Sequence, residues 1–110
     1  MSVGAIVVLT TCGNDEDANA LARLLVEQRL AACVNAVSNV ASTYRWKGEI
    51  QRDRETLLII KTTAAQLAAL EQAIRKHSKY ELPEVIALPV AAGGADYLAW
   101  VGESVAELKD

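Results

Sequence analysis

Phenylalanine is absent from this 110-residue chain, and only 5% of its residues are aromatic although 52% are hydrophobic. The core must therefore be built from Ala, Val, Leu and Ile, helped by three Tyr and two Trp. Two cysteines do not make a disulfide framework. Twenty residues lie between them, without a C-x-x-C spacing, which argues against a closed structural zinc site. His77 is the one histidine, and no motif ties a nucleophile to it, so a Ser-His-Asp or Cys-His catalytic unit is not indicated. The 11 Lys and Arg are scattered among 14 Asp and Glu, with no basic run, which excludes a nucleic-acid footprint. No apolar run approaches the roughly 20 residues of a membrane span. The P-loop and the G-x-G-x-x-G, H-E-x-x-H and G-x-S-x-G patterns are all missing. The first residues lack a charged region followed by an apolar signal core, so a cytoplasmic protein is expected. These absences lead us to expect one domain over 1–110 that is not an enzyme and carries no organic cofactor.

What is present is organised around the stretch from Leu30 to Thr63. It reads as a long β-hairpin turning at Lys47-Gly48, since Gly accepts the positive φ of tight hairpin turns. Val40, Ser42, Tyr44 and Trp46 alternate onto one face, and Thr43, Arg45 and Lys47 onto the other. On the return arm, Gln51-Arg52-Asp53-Arg54-Glu55 gives way to Leu57-Leu58-Ile59-Ile60, which predicts a base buried on both faces. Strands usually run about 5–6 residues, so arms this long suggest a tip that leaves its own domain.

Around the hairpin the elements follow in order. Ala5–Thr10 is an apolar strand, closed by Cys12-Gly13-Asn14. Asn14 is a good N-cap, followed by Asp15, Glu16 and Asp17 where the helix dipole favours negative charge. Ala18, Leu21, Ala22, Leu25 and Arg29 repeat at helical spacing, predicting a helix that ends near Gln28-Arg29. Thr63-Ala64-Ala65-Gln66 matches a capping box and predicts the start of a second helix with the stripe Leu67, Leu70 and Ile74. Arg75, Lys76 and Lys79 crowd its end. Tyr80–Pro83 is a connector. Glu84–Leu88 is predicted as the fourth strand, closed by Pro89. Gly93-Gly94 opens a third helix whose buried side is Leu98, Val101, Val105 and Leu108.

The order βαββαβ plus a terminal helix predicts an α+β, ferredoxin-like fold, with an antiparallel sheet and two helices on one face. All four strands contain segments apolar on both faces, yet two helices cover only one. The third helix is too short to cover the other alone. The missing layer should come from further copies of the chain, which makes itself the expected partner.

Five blocks now carry a resemblance: A-x-x-L-A-x-x-L-V-E-x-R-L-A-A-C-V-N (18–35), S-T-Y-R-W-K-G-E-I (42–50), E-T-L-L-I-I-K-T-T (55–63), Y-E-L-P-E-V-I-A-L-P-V (80–90) and D-Y-L-A-W-V (96–101). In this order they resemble the CutA family, the divalent-cation tolerance proteins, over nearly the full length. The resemblance implies a compact homotrimer, with hairpin arms reaching between subunits. It also implies binding of copper or another divalent cation in metal tolerance. The family is similar in structure to PII-type signalling trimers, so a trimeric sensor of a small ligand, or a non-catalytic trimeric scaffold, is an alternative. The chain has Ser78 and Gly13 where family members often have His and Pro.

Two groups of residues are candidates. Cys33 is a soft ligand for Cu(I), or else a small buried hydrophobe. His77 can bind metal with Cys33, Glu84 or a neighbouring subunit, or else simply complements a helix end. Tyr44, Trp46, Lys61, Tyr80, Glu84 and Trp100 suit a cleft or an interface between subunits. Glu55 and Lys61 share a strand face and are candidates for a charge pair across subunits. Cys12 precedes a helix that can lower its pKa, but Asp15, Glu16 and Asp17 oppose this.

Overall fold

In a computed structural model, residues 4–106 are described, so the expected burial of Leu108 lies outside the described residues. The elements are β1 (Ala5–Cys12), α1 (Asp15–Glu27), β2 (Cys33–Trp46), β3 (Glu49–Thr63), α2 (Leu67–His77), β4 (Ile86–Pro89) and α3 (Ala95–Val105). The four strands form one antiparallel sheet in the order β2-β3-β1-β4. This is the ferredoxin-like arrangement expected from the element order.

Local chemistry accounts for the helix ends. The Asn14 side chain accepts from the Asp17 amide at 2.8 Å, satisfying one of the free donors at the start of α1. At the other end Arg29 takes φ 58°, with Leu30 N–H donating to Leu25 O and Arg29 N–H to Val26 O. This is the Schellman ending usually given to Gly. Arg29 therefore lies past the helix rather than on its stripe, and its guanidinium donates to the Ser104 carbonyl of α3 at 3.1 Å. The expected capping box does not form. Thr63 makes no side-chain cap, and Ala64–Gln66 is a 3-10 turn leading into α2. Gln66 instead donates through Nε2 to the Val105 carbonyl at 3.0 Å, closing the C-terminal end of α3.

The fourth strand starts two residues later than its apolar run, because Glu84 and Val85 remain in the connector. It includes Pro89, which sits opposite Ile6. An edge strand tolerates Pro, since its missing N–H need not join a ladder. Gly93 has a packing reason: a Cβ there would lie 3.3 Å from Leu98.

Register divides the sheet into two faces. On the helix face Val8, Leu58 and Ile60 are completely buried, together with Leu25, Leu70 and Ile74 from α1 and α2. On the other face the ladder aligns Val37 with Leu57, then Ile59 with Leu9 and Ile86, then Val7 with Leu88. Ile86, Leu88 and Val37 are 48%, 46% and 43% exposed. The hairpin base is thus covered on one face within the chain, not on both as its composition suggested. α3 packs against β3 and β1, placing Val101 and Val105 against Ala32. It leaves the apolar centre of that second face open.

β1 pairs with β3 only from Thr56 to Thr63, so residues 40–55 form a two-stranded ribbon beyond the sheet. Its turn is at Lys47 (φ 50°) and Gly48 (φ 84°), the left-handed pair that a two-residue hairpin loop requires. A bulge between Val37 and Val40, with Asn39 at φ 63°, adds one residue to β2. Side-chain alternation changes parity there. Odd-numbered Cys33, Asn35 and Val37 therefore share a face with even-numbered Val40, Ser42, Tyr44 and Trp46. Asp15 secures the bulge by accepting from Ser38 (2.8 Å) and Thr56 (2.6 Å).

Truncating Leu58, in the centre of the covered face, should cost about 2–5 kcal/mol as Leu58→Ala. Val26→Ala, on the outer side of α1, should change stability by less than about 0.5 kcal/mol. Denaturant titration at fixed protein concentration measures both, and equal losses would contradict this division of the core.

Candidate functional site: a cleft beside the hairpin ribbon

The ribbon and the 78–85 connector do not pack flush. Between them lies a cleft of about 640 Å³, lined from the ribbon by Ser42, Tyr44 and Trp46, from the β1–β3 junction by Thr11 and Glu55, and from the connector by Tyr80 and Glu84. Lys47 at the turn reaches Glu81 at 3.5 Å and lies over the Trp46 ring, which ties the tip to the connector. The expected cleft residues Tyr44, Trp46, Glu55, Tyr80 and Glu84 are brought together here.

Glu55 is the chemical centre of the cleft. The Tyr80 hydroxyl donates to Glu55 Oε2 at 2.6 Å, and the Ser42 and Thr11 hydroxyls line the cleft beside this carboxylate and favour its charged form. Partial burial acts to raise the Glu55 pKa, but the three hydroxyls outweigh it and hold the group below its ordinary value. Burial first, and then the bond to Glu55, push the Tyr80 hydroxyl well above the usual tyrosine range. Tyr44 donates to Asp53, which raises the Tyr44 pKa. Lys79 is engaged with Asp17 at 2.9 Å, which strengthens its positive form. Both tyrosines are therefore neutral donors, and Glu55 is an anion without an ion-pair partner among the described residues.

The remaining candidates lie elsewhere. Lys61 is at the base of the sheet, between Val7 and Cys33 in the register, where it donates to Asn35 Oδ1. Trp100 packs against Tyr97 in α3 in a tilted arrangement with centroids 5.5 Å apart. Glu55 and Lys61 share a face as expected but are six residues apart, roughly 20 Å along a strand, too far to pair within one chain.

Nor do the metal candidates converge. Cys33 opens β2, with its thiol 3.9 Å from Asn35 Oδ1. His77 ends α2 and lines a smaller pocket of about 230 Å³ with Cys12, Asn14 and Asp17. Glu84 lines the large cleft. Among the described residues no three His, Cys, Asp or Glu side chains are placed to hold one ion, so Cys33, His77 and Glu84 do not make a closed site within a chain. Burial, followed by the charges of Asp17 and Glu55, pushes the Cys12 thiol up, away from the reactive thiolate.

Sequence reading missed Ser42, Thr11 and Asp53 as parts of the site. A usable signal existed for two of them. A two-residue turn at 47–48 makes paired residues sum to 95, which sets Ser42 opposite Asp53 and Val40 opposite Glu55. Thr11 carried no such signal, since its place depends on the long-range pairing of β1 with β3.

Removing one donor tests the electrostatics. In Tyr80→Phe the Glu55 pKa should rise toward its ordinary value, read by carboxyl NMR titration. Because the folded pKa is depressed, the Glu55 contribution to stability is complete above the unfolded value of about 4.3 and is lost as pH falls through the folded value. The variant should carry less of this contribution, and an unchanged Glu55 pKa would contradict the hydroxyl cage.

Comparison with known proteins gives one consistent result. Residues 6–104 match the model of the family described as CutA1 divalent ion tolerance protein. The chain is 45% identical to the divalent-cation tolerance protein CutA of Thermus thermophilus, over 89% of this chain and 95% of that one. It is 47% identical to a CutA homolog of Xenopus laevis over 88% of this chain, but spans only 64% of that longer relative. The crystal structure of CutA1 from Oryza sativa superposes with a TM-score of 0.93 at 43% identity, over 97% of this chain and 98% of that one. The family blocks coincide with the elements that build the sheet, the ribbon and the cleft, and the chain belongs to the CutA1 divalent ion tolerance protein family.

Proposed function

We propose that this protein acts in divalent-cation tolerance as a cytoplasmic, non-catalytic homotrimer that binds copper or a similar cation between its subunits. The observation that carries this reading is the family match across residues 6–104, which spans every element of the fold. The assembly is supported by the open apolar face that presents Leu57, Ile59, Ile86 and Leu88, and by a ribbon longer than its own sheet can pair. In this reading the metal lies between subunits, because Cys33, His77 and Glu84 do not converge in one chain and a site with the usual ligand number would draw on more than one copy. Two free thiols suit a reducing compartment.

A second reading, a PII-like sensor of a small ligand, is favoured by the cleft itself. Its volume lies within the range of about 300–1,000 Å³ typical of small-molecule sites, and aromatic rings surround one organised carboxylate.

Calorimetric titration with copper under reducing conditions tests the first reading, with wild type beside Cys33→Ser and His77→Ala. The expected result is an integral number of ions per assembly and a loss in either variant. That loss should exceed the roughly 10–100-fold typical of outer-shell changes around a metal. Weak binding that is equal in all three proteins would contradict the metal role of these residues.

A further inference from the structure

We propose that the cleft between the ribbon and the connector binds an organic ammonium ion, with its charged nitrogen on Glu55 and its apolar body against Tyr44, Trp46 and Tyr80. The inference rests on the small-ligand reading of the cleft and names the ligand's chemistry.

Three observations lead to it. First, Glu55 is organised but left without a countercharge. The Tyr80 hydroxyl donates to one Glu55 oxygen at 2.6 Å, with Ser42 and Thr11 lining the same cleft, and a carboxylate with roughly four acceptor positions keeps room for an N–H donor. Second, the neighbouring cations are engaged or face away. Lys79 is bound to Asp17 and Lys47 to Glu81. Arg45 pairs with Ile50, so its side chain starts from the other ribbon face, although Arg45 also borders the cleft. Glu84 also lines the cleft and adds negative charge beside Glu55. Third, the walls carry three aromatic rings, whose faces attract cations, most strongly where water is partly excluded. An inorganic divalent cation would need several converging ligands, and no set of three acidic, Cys or His side chains is present among the described residues. An ammonium ion with an apolar body needs one carboxylate and aromatic surface, which is what the cleft offers.

The bulge makes this arrangement possible. Without the parity change at Val37/Val40, Tyr44 and Trp46 would turn to the face opposite Glu55.

Three isosteric probes give the test: benzylamine, benzyl alcohol and benzoate, titrated into the assembled protein near neutral pH. Binding is followed by tryptophan fluorescence and by NMR shifts of Glu55 and Tyr80. Benzylamine should bind and the other two should not. Glu55→Gln, which keeps shape and removes charge, should weaken benzylamine by roughly tenfold or more, and Tyr80→Phe by less. Circular dichroism and assembly mass confirm that each variant is folded. Benzoate or benzyl alcohol binding in preference to benzylamine would overturn the ammonium assignment while leaving a small-ligand cleft. Equal benzylamine binding by wild type and Glu55→Gln would also overturn it. Binding of none of the three would overturn both readings.

Discussion

A sheet that is apolar on both faces, with helices on one, is the constraint on which the rest of this structure depends. α1 and α2 bury Val8, Leu58 and Ile60 completely. Leaving Ile86 and Leu88 about half exposed on the opposite side keeps apolar area in water, at roughly 25 cal/mol per Å². Single exposed apolar residues are ordinary, but a contiguous row across four strands is not. α3 covers only the end of this face, where Val101 and Val105 meet Ala32. The constraint therefore points outward, to a covering layer that the proposed assembly of several copies would supply.

The ribbon is the second consequence. Beyond Thr56 its strands pair only with each other, and an isolated two-stranded hairpin is marginal in water. Within the chain it is held by local devices: the bond from Tyr44 to Asp53, Lys47 against Trp46 and Glu81, and Asp15 at the bulge. These same devices place a half-buried, ionised Glu55 at the floor of an aromatic cleft. Structure and candidate function thus share residues, and a change at the bulge would be felt in both.

Much of the fold was legible because its signals are local. Asn14 with three acids after it, the Lys47-Gly48 turn and the Leu67–Leu70–Ile74 stripe each depend on neighbours within a few residues. Errors arose where distant partners decided the outcome. Gln66 was free to complete a capping box, but a carbonyl of α3 claims it instead. Pro89 looked like a strand end and is a ladder member, because β4 lies at the sheet edge. The double-faced apolar pattern of the hairpin base was read as burial on both faces, and a single chain meets only half of it. For the site, the family blocks located the aromatics, while the grouping did not survive intact. Lys61 and Trp100 lie at the opposite end of the hairpin from Tyr44 and Glu55, and Ser42 and Thr11 became visible only through register.

We propose that copies of the same chain complete the open sheet face. Sedimentation equilibrium of the wild-type protein at micromolar concentration tests it most directly. A single species at three times the 11.8 kDa chain mass is expected. A folded, monodisperse monomer at that concentration would contradict it.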